Sequence, residues 1–257
     1  MEKIKFERVS KIYYGHSKDS VEAIKSVDFS IPDNTFACIV GPSGCGKSTL
    51  LRIAAGLIEP SSGEVQLHHR NKDSTLLAMV FQENSIFPWF TVFDNIAIGL
   101  RARGVRESVI REKVNEQLKT LGLESFAHKY PYALSGGMKQ RVNIGRAFIM
   151  DPEILLMDEP FASLDEQNRF VLQSELRRLW EMSPKTVLFI THSIDEAVFL
   201  ADKIIVMGTN PGRVIQVFDV PFDRKRNLEE IRETEDFIKL HKEIWSIIRD
   251  EVTKTRE

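Results

Sequence analysis

The chain has 257 residues, 42% of them hydrophobic and 28% charged, with a formal net charge of -2. That length makes one large domain or two small ones, and the balance is that of a folded globular chain without the basic footprint of a nucleic-acid binder. No apolar run approaches the ~18 residues needed to span a bilayer, the N-terminus carries no signal-peptide core, and two cysteines, Cys38 and Cys45, form neither a disulfide framework nor a metal pattern, so a reducing, cytoplasmic setting is the simplest expectation.

In chain order, Lys3–Arg8 and Val27–Ile31 alternate apolar and polar residues and are expected to form strands of a small antiparallel sheet. Two tyrosines, Tyr13 and Tyr14, lie between them. Phe36–Val40 is a short buried strand. It runs directly into Gly41-Pro42-Ser43-Gly44-Cys45-Gly46-Lys47-Ser48-Thr49, and a helical pattern from Leu50 follows. Strand, glycine loop and helix make the context a phosphate cradle needs. The glycines let backbone N–H groups turn inward around an anion, and the helix start adds free N–H groups and partial positive charge. Lys47 can neutralise terminal phosphates and Ser48 can ligate Mg²⁺.

His68–Asp73 reads as a solvated turn, since its two adjacent histidines have no third ligand near them. Leu77–Phe81 is a second apolar strand, followed by Gln82. Ile86-Phe87-Pro88-Trp89-Phe90 is too apolar for an ordinary loop. It either packs locally or lines a groove for another chain. Val92–Arg103, Glu107–Leu121 and Ser135–Met150 read as helices. Ser135-Gly136-Gly137 opens the last of these and offers a helix cap and a second anion site.

Ile154–Met157 is a buried strand that ends in Asp158-Glu159-Pro160. Carboxylates at such a strand end fall in the ligand crevice of an α/β sheet. Asp158 is expected to face the metal held by Ser48, and Glu159 to act as general base on a water. Thr186–Ile190 is another strand, with His192 just beyond it, and Lys203–Met207 is the next. Asn210-Pro-Gly-Arg213 is a turn. Leu228 to about Val252 is amphipathic, with Phe237, Leu240, Ile244, Ile247 and Ile248 at helical spacing. The strands are rich in Val, Ile and Leu and several alternate with helices, which gives an α/β class with a mostly parallel core sheet.

Together these motifs resemble the ATP-binding subunit of an ATP-binding cassette (ABC) transporter, over nearly the whole chain and in the expected order. Gly41–Thr49 is similar to Walker A, Gln82 to the Q-loop glutamine, Leu134–Gln140 to the family signature, Ile154–Glu159 to Walker B with its catalytic glutamate, Ser163–Asp165 to the D-loop, and His192 to the switch histidine. The resemblance implies a P-loop NTPase core at 1–83 and 151–220, a small antiparallel β subdomain within it, an inserted helical subdomain at 84–150 and a C-terminal helical extension at 221–257. It implies ATP and Mg²⁺ as cofactors. Lys47, Gln82, Glu159 and His192 would serve catalysis, Ser48, Gln82 and Asp158 the metal, and Tyr13 the adenine, with adjacent Tyr14 the competing choice.

Two copies would bind ATP head to tail, with Ser135, Gly136 and Gly137 of one copy completing the other's site. Partners would be an integral-membrane permease, reached through Phe87 and Trp89, and indirectly an extracytoplasmic solute-binding protein, with no nucleic acid. The chain would sit peripherally on the cytoplasmic face of the membrane. Asn210–Arg213, Phe87–Trp89 and the short C-terminus resemble importers of nitrate, sulfonates and taurine, whereas Phe161-Ala-Ser163 departs from that branch. The competing readings are a cassette ATPase of repair or translation, which usually carries long inserts or paired cassettes, and a P-loop kinase, which should lack Leu134–Gln140.

Overall fold

The computed structural model describes residues 1–14, 20–83, 85–224 and 226–254, without the side chains of 228 and 229. Asn84 and residues 255–257, named at the edges of two expected segments, lie outside the described residues.

A six-stranded sheet, a three-stranded sheet and two sets of helices make three layers. The large sheet has the order β5-β6-β7-β3-β8-β9. Its members are β3 (Phe36–Val40), β5 (Thr75–Val80), β6 (Pro152–Asp158), β7 (Thr186–Ile190), β8 (Lys203–Gly208) and β9 (Arg213–Asp219). All neighbours are parallel except β8 and β9, which are antiparallel. β3, β6 and β7 are buried along their whole length, as expected of strands covered on both faces. Side chains alternate between two apolar clusters. Ala37, Ile39, Ile154, Leu156, Leu188 and Ile190 point to one face, and Phe36, Cys38, Leu155, Met157, Val187 and Phe189 to the other.

On the first face lies α1 (Lys47–Ala54), whose Leu50, Leu51 and Ile53 join that cluster. The small antiparallel sheet covers it in turn, with β1 (Glu2–Tyr14) between β2 (Ser20–Pro32) and β4 (Ser62–Leu67). β1 and β2 run well beyond the expected Lys3–Arg8 and Val27–Ile31. Register shifts near Phe6–Val9 and positive φ at Arg8 (47) and Ser26 (43) break the alternation that periodicity reads. β4 and β9 carried too weak a pattern to be read.

Between β5 and β6 the chain builds α2 (Val92–Ala102), α3 (Glu107–Thr120) and α4 (Gly136–Phe148). Thr91 caps α2 by accepting from Asp94 N at 3.1 Å. α5 (Glu166–Met182) and α6 (Ile194–Leu200) follow β6 and β7. The expected single C-terminal helix is two, α7 (Leu228–Arg232) and α8 (Glu235–Lys254). Thr234 makes the break, its hydroxyl accepting from Phe237 N at 3.3 Å as a new cap. α8 buries Phe237, Leu240 and Ile244 against the core.

The segment expected as a solvated turn is one, exposed at Arg70–Asp73, and it also clamps a buried carboxylate. Glu153, at the start of β6, accepts the ammonium of Lys3, the hydroxyl of Ser74 and the backbone N–H groups of Arg70 (2.8 Å) and Asn71 (3.1 Å). His68 and His69 are half-buried, with His69 Nδ1 3.5 Å from Glu153 Oε1. No cluster of three or more metal-ligating side chains occurs among the described residues.

Candidate functional site

The loop between β3 and α1 is wound as an anion cradle. Gly46 caps α1 with φ 88, and a Cβ there would stand 2.8 Å from Ala23 O, so the position needs glycine twice over. The Lys47 ammonium folds back on the loop and donates to Gly41 O at 2.9 Å and Pro42 O at 3.0 Å. It is buried, with its charge solvated by the carbonyls of the loop it will serve. Ser43, Gly44 and the buried Cys45 complete the turn, and Thr49 follows Ser48 on the first turn of α1. Burial pushes the Cys45 thiol above its usual range despite the nearby Lys47, which makes it a packing residue.

Gly212 buttresses this loop from outside. A Cβ on it would lie 2.1 Å from Cys45 O and 2.7 Å from Ala23 O. The Asn210–Arg213 turn is therefore pressed against the cradle. The dipeptide Pro-Gly signalled a turn but not this contact.

The ends of β6 and β7 bring the polar groups together. Ser48 Oγ donates to Asp158 Oδ1 at 2.8 Å. Asp158 is 2% exposed, and its burial raises the carboxyl above the usual aspartate range against the Ser48 hydrogen bond. A hydroxyl, a buried carboxylate and the amide oxygen of Gln82, whose side chain reaches the adjacent Glu159, are hard oxygen donors. They fit Mg²⁺, which takes few protein ligands and keeps waters and phosphate oxygens.

Glu159 comes next, held at φ 43 while its N–H donates to Ile190 O at 3.1 Å. Such strain collects at functional sites. Gln82 Nε2 donates to Glu159 Oε2 at 3.3 Å, and His192 Nδ1 lies 3.4 Å from the same oxygen. Three residues from three strand ends thus meet at one carboxylate. The His192 turn is held by pieces that the sequence did not flag. Thr191 Oγ1 donates to Glu196, Gln173 Nε2 donates to Glu196 Oε1 at 2.8 Å, and Ser193 caps α6.

The Ser135–Gly137 segment stands apart. Ser135 caps α4, accepting from Met138 N at 3.3 Å, and Ser135 and Gly136 are exposed. Gly137 packs against Asn168 at the start of α5, where Asp165 is the cap. Among the described residues no hydrogen bond joins this segment to Gly41–Thr49, Asp158 or Glu159. At the other edge of the cradle, Tyr13 Oη is 3.4 Å from Thr49 Oγ1, while Tyr14 is 80% exposed and makes no such contact.

The Ile86–Phe90 cluster both packs and lines a groove. Asn95, fully buried on α2, donates to Phe87 O, Phe90 O and Thr91 O at 3.0–3.1 Å and accepts from Phe87 N at 2.7 Å. This one side chain shapes the loop. Ile86 is buried, Trp89 is 66% exposed, and Phe87 lines a cavity of about 470 Å³ with Met79, Phe81, Ile98 and Met150.

A model of the ABC transporter family matches residues 24–162, just over half of the chain. The chain belongs to the ABC transporter ATP-binding family. An uncharacterised ABC transporter ATP-binding protein of Methanocaldococcus jannaschii is 42% identical over 98% of this chain and 94% of its own length. The taurine import ATP-binding protein TauB of Rhizobium johnstonii is 40% identical over 95% and 96%. The aliphatic sulfonates import ATP-binding protein SsuB of Bacillus cereus is 38% identical over 90% and 92%. The cassette MJ0796, solved as a dimer in a post-hydrolysis state with ADP and phosphate, superposes with a TM-score of 0.74 at 31% identity, covering 86% of this chain and all of that one.

The chain is thus an ABC ATPase with the P-loop NTPase fold, a mixed β-sheet core and a helical subdomain. Among its described residues, no helix is long and apolar enough to cross a membrane.

Proposed function

We propose that this ABC ATPase energises import of a small solute of the nitrate, sulfonate or taurine class through a separate membrane permease. The observation that carries the catalytic part is the meeting of Gln82 and His192 on Glu159, beside the Ser48–Asp158 pair. Lys47 and the N–H groups of Gly41–Thr49 bind the ATP phosphates, with Tyr13 stacked on adenine. Ser48, Asp158 and Gln82 hold Mg²⁺, which when bound neutralises charge that gathers on the phosphates. Glu159 takes the proton of the attacking water, and Gln82 and His192 orient that carboxylate. Two copies pair head to tail, and the exposed Ser135–Gly137 of one copy donates to the terminal phosphate bound by the other. The groove beside Phe87 and Trp89 receives a permease helix. This places the protein on the cytoplasmic face of the membrane, served indirectly by a solute-binding protein. The substrate class rests on the taurine and sulfonate names of relatives about 40% identical.

Glu159→Gln keeps the shape and loses the base. ATP binding is expected to stay near normal while turnover falls ~10²–10⁴-fold. Near-normal hydrolysis by this variant removes Glu159 as the base. The substrate class is tested separately. ATP-dependent uptake of taurine and alkanesulfonates into vesicles carrying the permease should exceed uptake of matched amino acids.

A further inference from the structure

A cavity of about 510 Å³ lies between the His192 turn and α8. One wall is Gly41 with His192–Asp195. The other is α8, through His241, Lys242, Trp245 and Ile248. Of the cradle only Gly41 lines it, so this space adjoins the phosphate site at Gly41 and His192 and opens toward α8. Its volume is that of a small-molecule pocket, ~300–1,000 Å³.

We propose that this cavity binds a small organic anion, a compound with a compact apolar body and one carboxylate, sulfonate or phosphate-type group. The apolar body is matched by Ile194, Ile248 and Trp245, the last 53% exposed beside the cavity. The charge is matched by Lys242. Among the described lining residues Asp195 is the only carboxylate, and its two oxygens already face His241 Nε2 and Arg232 Nη2, the latter outside the lining, each at 3.4 Å. Lys242 makes no ion pair among the described residues. An entering anion therefore meets one exposed, unneutralised ammonium at the rim of an apolar space. The ligand bridges α8 to the turn that carries His192, so occupancy restrains that turn and changes hydrolysis. This last step rests on the catalytic reading of His192, whereas the binding itself does not.

The test uses the full chain with benzenesulfonate as probe, and benzenesulfonamide and benzylammonium as neutral and cationic controls. Tryptophan emission reports the site, with Trp245→Phe assigning the signal among the three tryptophans. Benzenesulfonate is expected to bind saturably and at least ~10-fold tighter than either control. Lys242→Glu should weaken it by a similar factor and Lys242→Arg should restore it, both with basal hydrolysis unchanged. Equal binding of the neutral control, or indifference to Lys242→Glu, overturns the proposal. So does competition by ATP, which would put the anion in the phosphate cradle. So does a Trp245 signal that follows protein concentration rather than probe, which would mean that a second copy covers the cavity. Saturable binding with hydrolysis unchanged overturns the coupling to His192 and leaves the site standing.

Discussion

The cradle and the start of α4 are both helix N-termini, ends of the kind that can receive anions, yet they are finished to different degrees. Around the cradle, four polar side chains meet partners within the chain. Lys47 is held by loop carbonyls, Ser48 by Asp158, and Gln82 and His192 by Glu159. At Ser135–Gly137 the cap is made, but the face is exposed and bonded to nothing in the cradle. A built half can bind phosphate alone. An exposed helix start gives only weak anion binding, and becomes strong when a second set of donors opposes it across the same phosphate. The contrast therefore carries the argument for two copies.

The largest expected effect breaks that contrast directly. Lys47→Ala and Ser135→Arg should each abolish hydrolysis in a homodimer, because both sites of the pair lose one half of the clamp. Mixing the two variants puts both lesions in one site and leaves the other intact. Hydrolysis should return, up to about half per dimer if the sites act independently. Failure of Ser135→Arg to affect hydrolysis in any state would end the shared-site reading.

How much of this was legible in the sequence follows the same divide. Glycine spacing, strand-end acids and chain order mark Gly41–Thr49, Asp158, Glu159 and His192, because each lies next to a run of buried residues with a clear period. β3 and β7 are found with the bounds that the sequence suggests. What escaped depends on contacts distant in sequence. Asn95 is an ordinary polar residue until it is seen bonding four backbone groups of the 87–91 loop. Gly212 matters only because Cys45 and Ala23 come up against it. Glu153 carries no motif or period that marks it, yet it is buried at the foot of β6.

That foot sharpens the contrast from below, since β6 carries Asp158 and Glu159 at its other end. Burial alone would push the Glu153 carboxyl up. Lys3, Ser74 and the N–H groups of Arg70 and Asn71 outweigh it and hold the group well below the usual carboxylate range. Glu153→Ala leaves Lys3 buried without its partner and should cost about 3–5 kcal/mol in denaturant unfolding. A depressed folded pKa gives stability that is present above the unfolded value of about 4.3 and is lost as pH falls through the folded one. The gap between wild type and variant should therefore shrink in acid below about pH 4. An undiminished gap there would assign the loss to packing alone.

The groove tests the open half from its other side. Trp89→Ala should leave hydrolysis by the purified chain nearly intact, because the ring is mostly exposed. Association with permease-containing membranes should weaken by about 2 kcal/mol, the loss typical of a central aromatic anchor. Phe87→Ala should add a cost in folding, since that ring packs against Trp89 and Phe90 and under the Arg146 guanidinium. Unchanged membrane association in Trp89→Ala would leave the cluster as local packing.

The smallest effect is expected at Tyr13, which belongs to the built half but is only lightly held. Its hydroxyl is at 3.4 Å from Thr49 Oγ1, a long contact, and Lys11 Nζ sits 5.3 Å from its ring centroid. Those contacts set the ring at the edge of the cradle without burying it, at 42% exposure. A ring that stacks on the base, as proposed, does not reach the reacting phosphate, so Tyr13→Ala should raise the KM for ATP and leave kcat nearly unchanged. Stacking of a base on an aromatic is worth ~1–3 kcal/mol, and the half-exposed ring puts the loss at the low end. Tyr13→Phe separates the two contributions, since it keeps the stacking surface and deletes only the Thr49 contact. It should bind ATP almost as well as the wild type. Tyr14→Ala is the control, with a ring 80% exposed and no contact to the loop. A KM effect confined to Tyr14→Ala would move the adenine to the neighbouring ring and leave Tyr13 as a packing residue of β1.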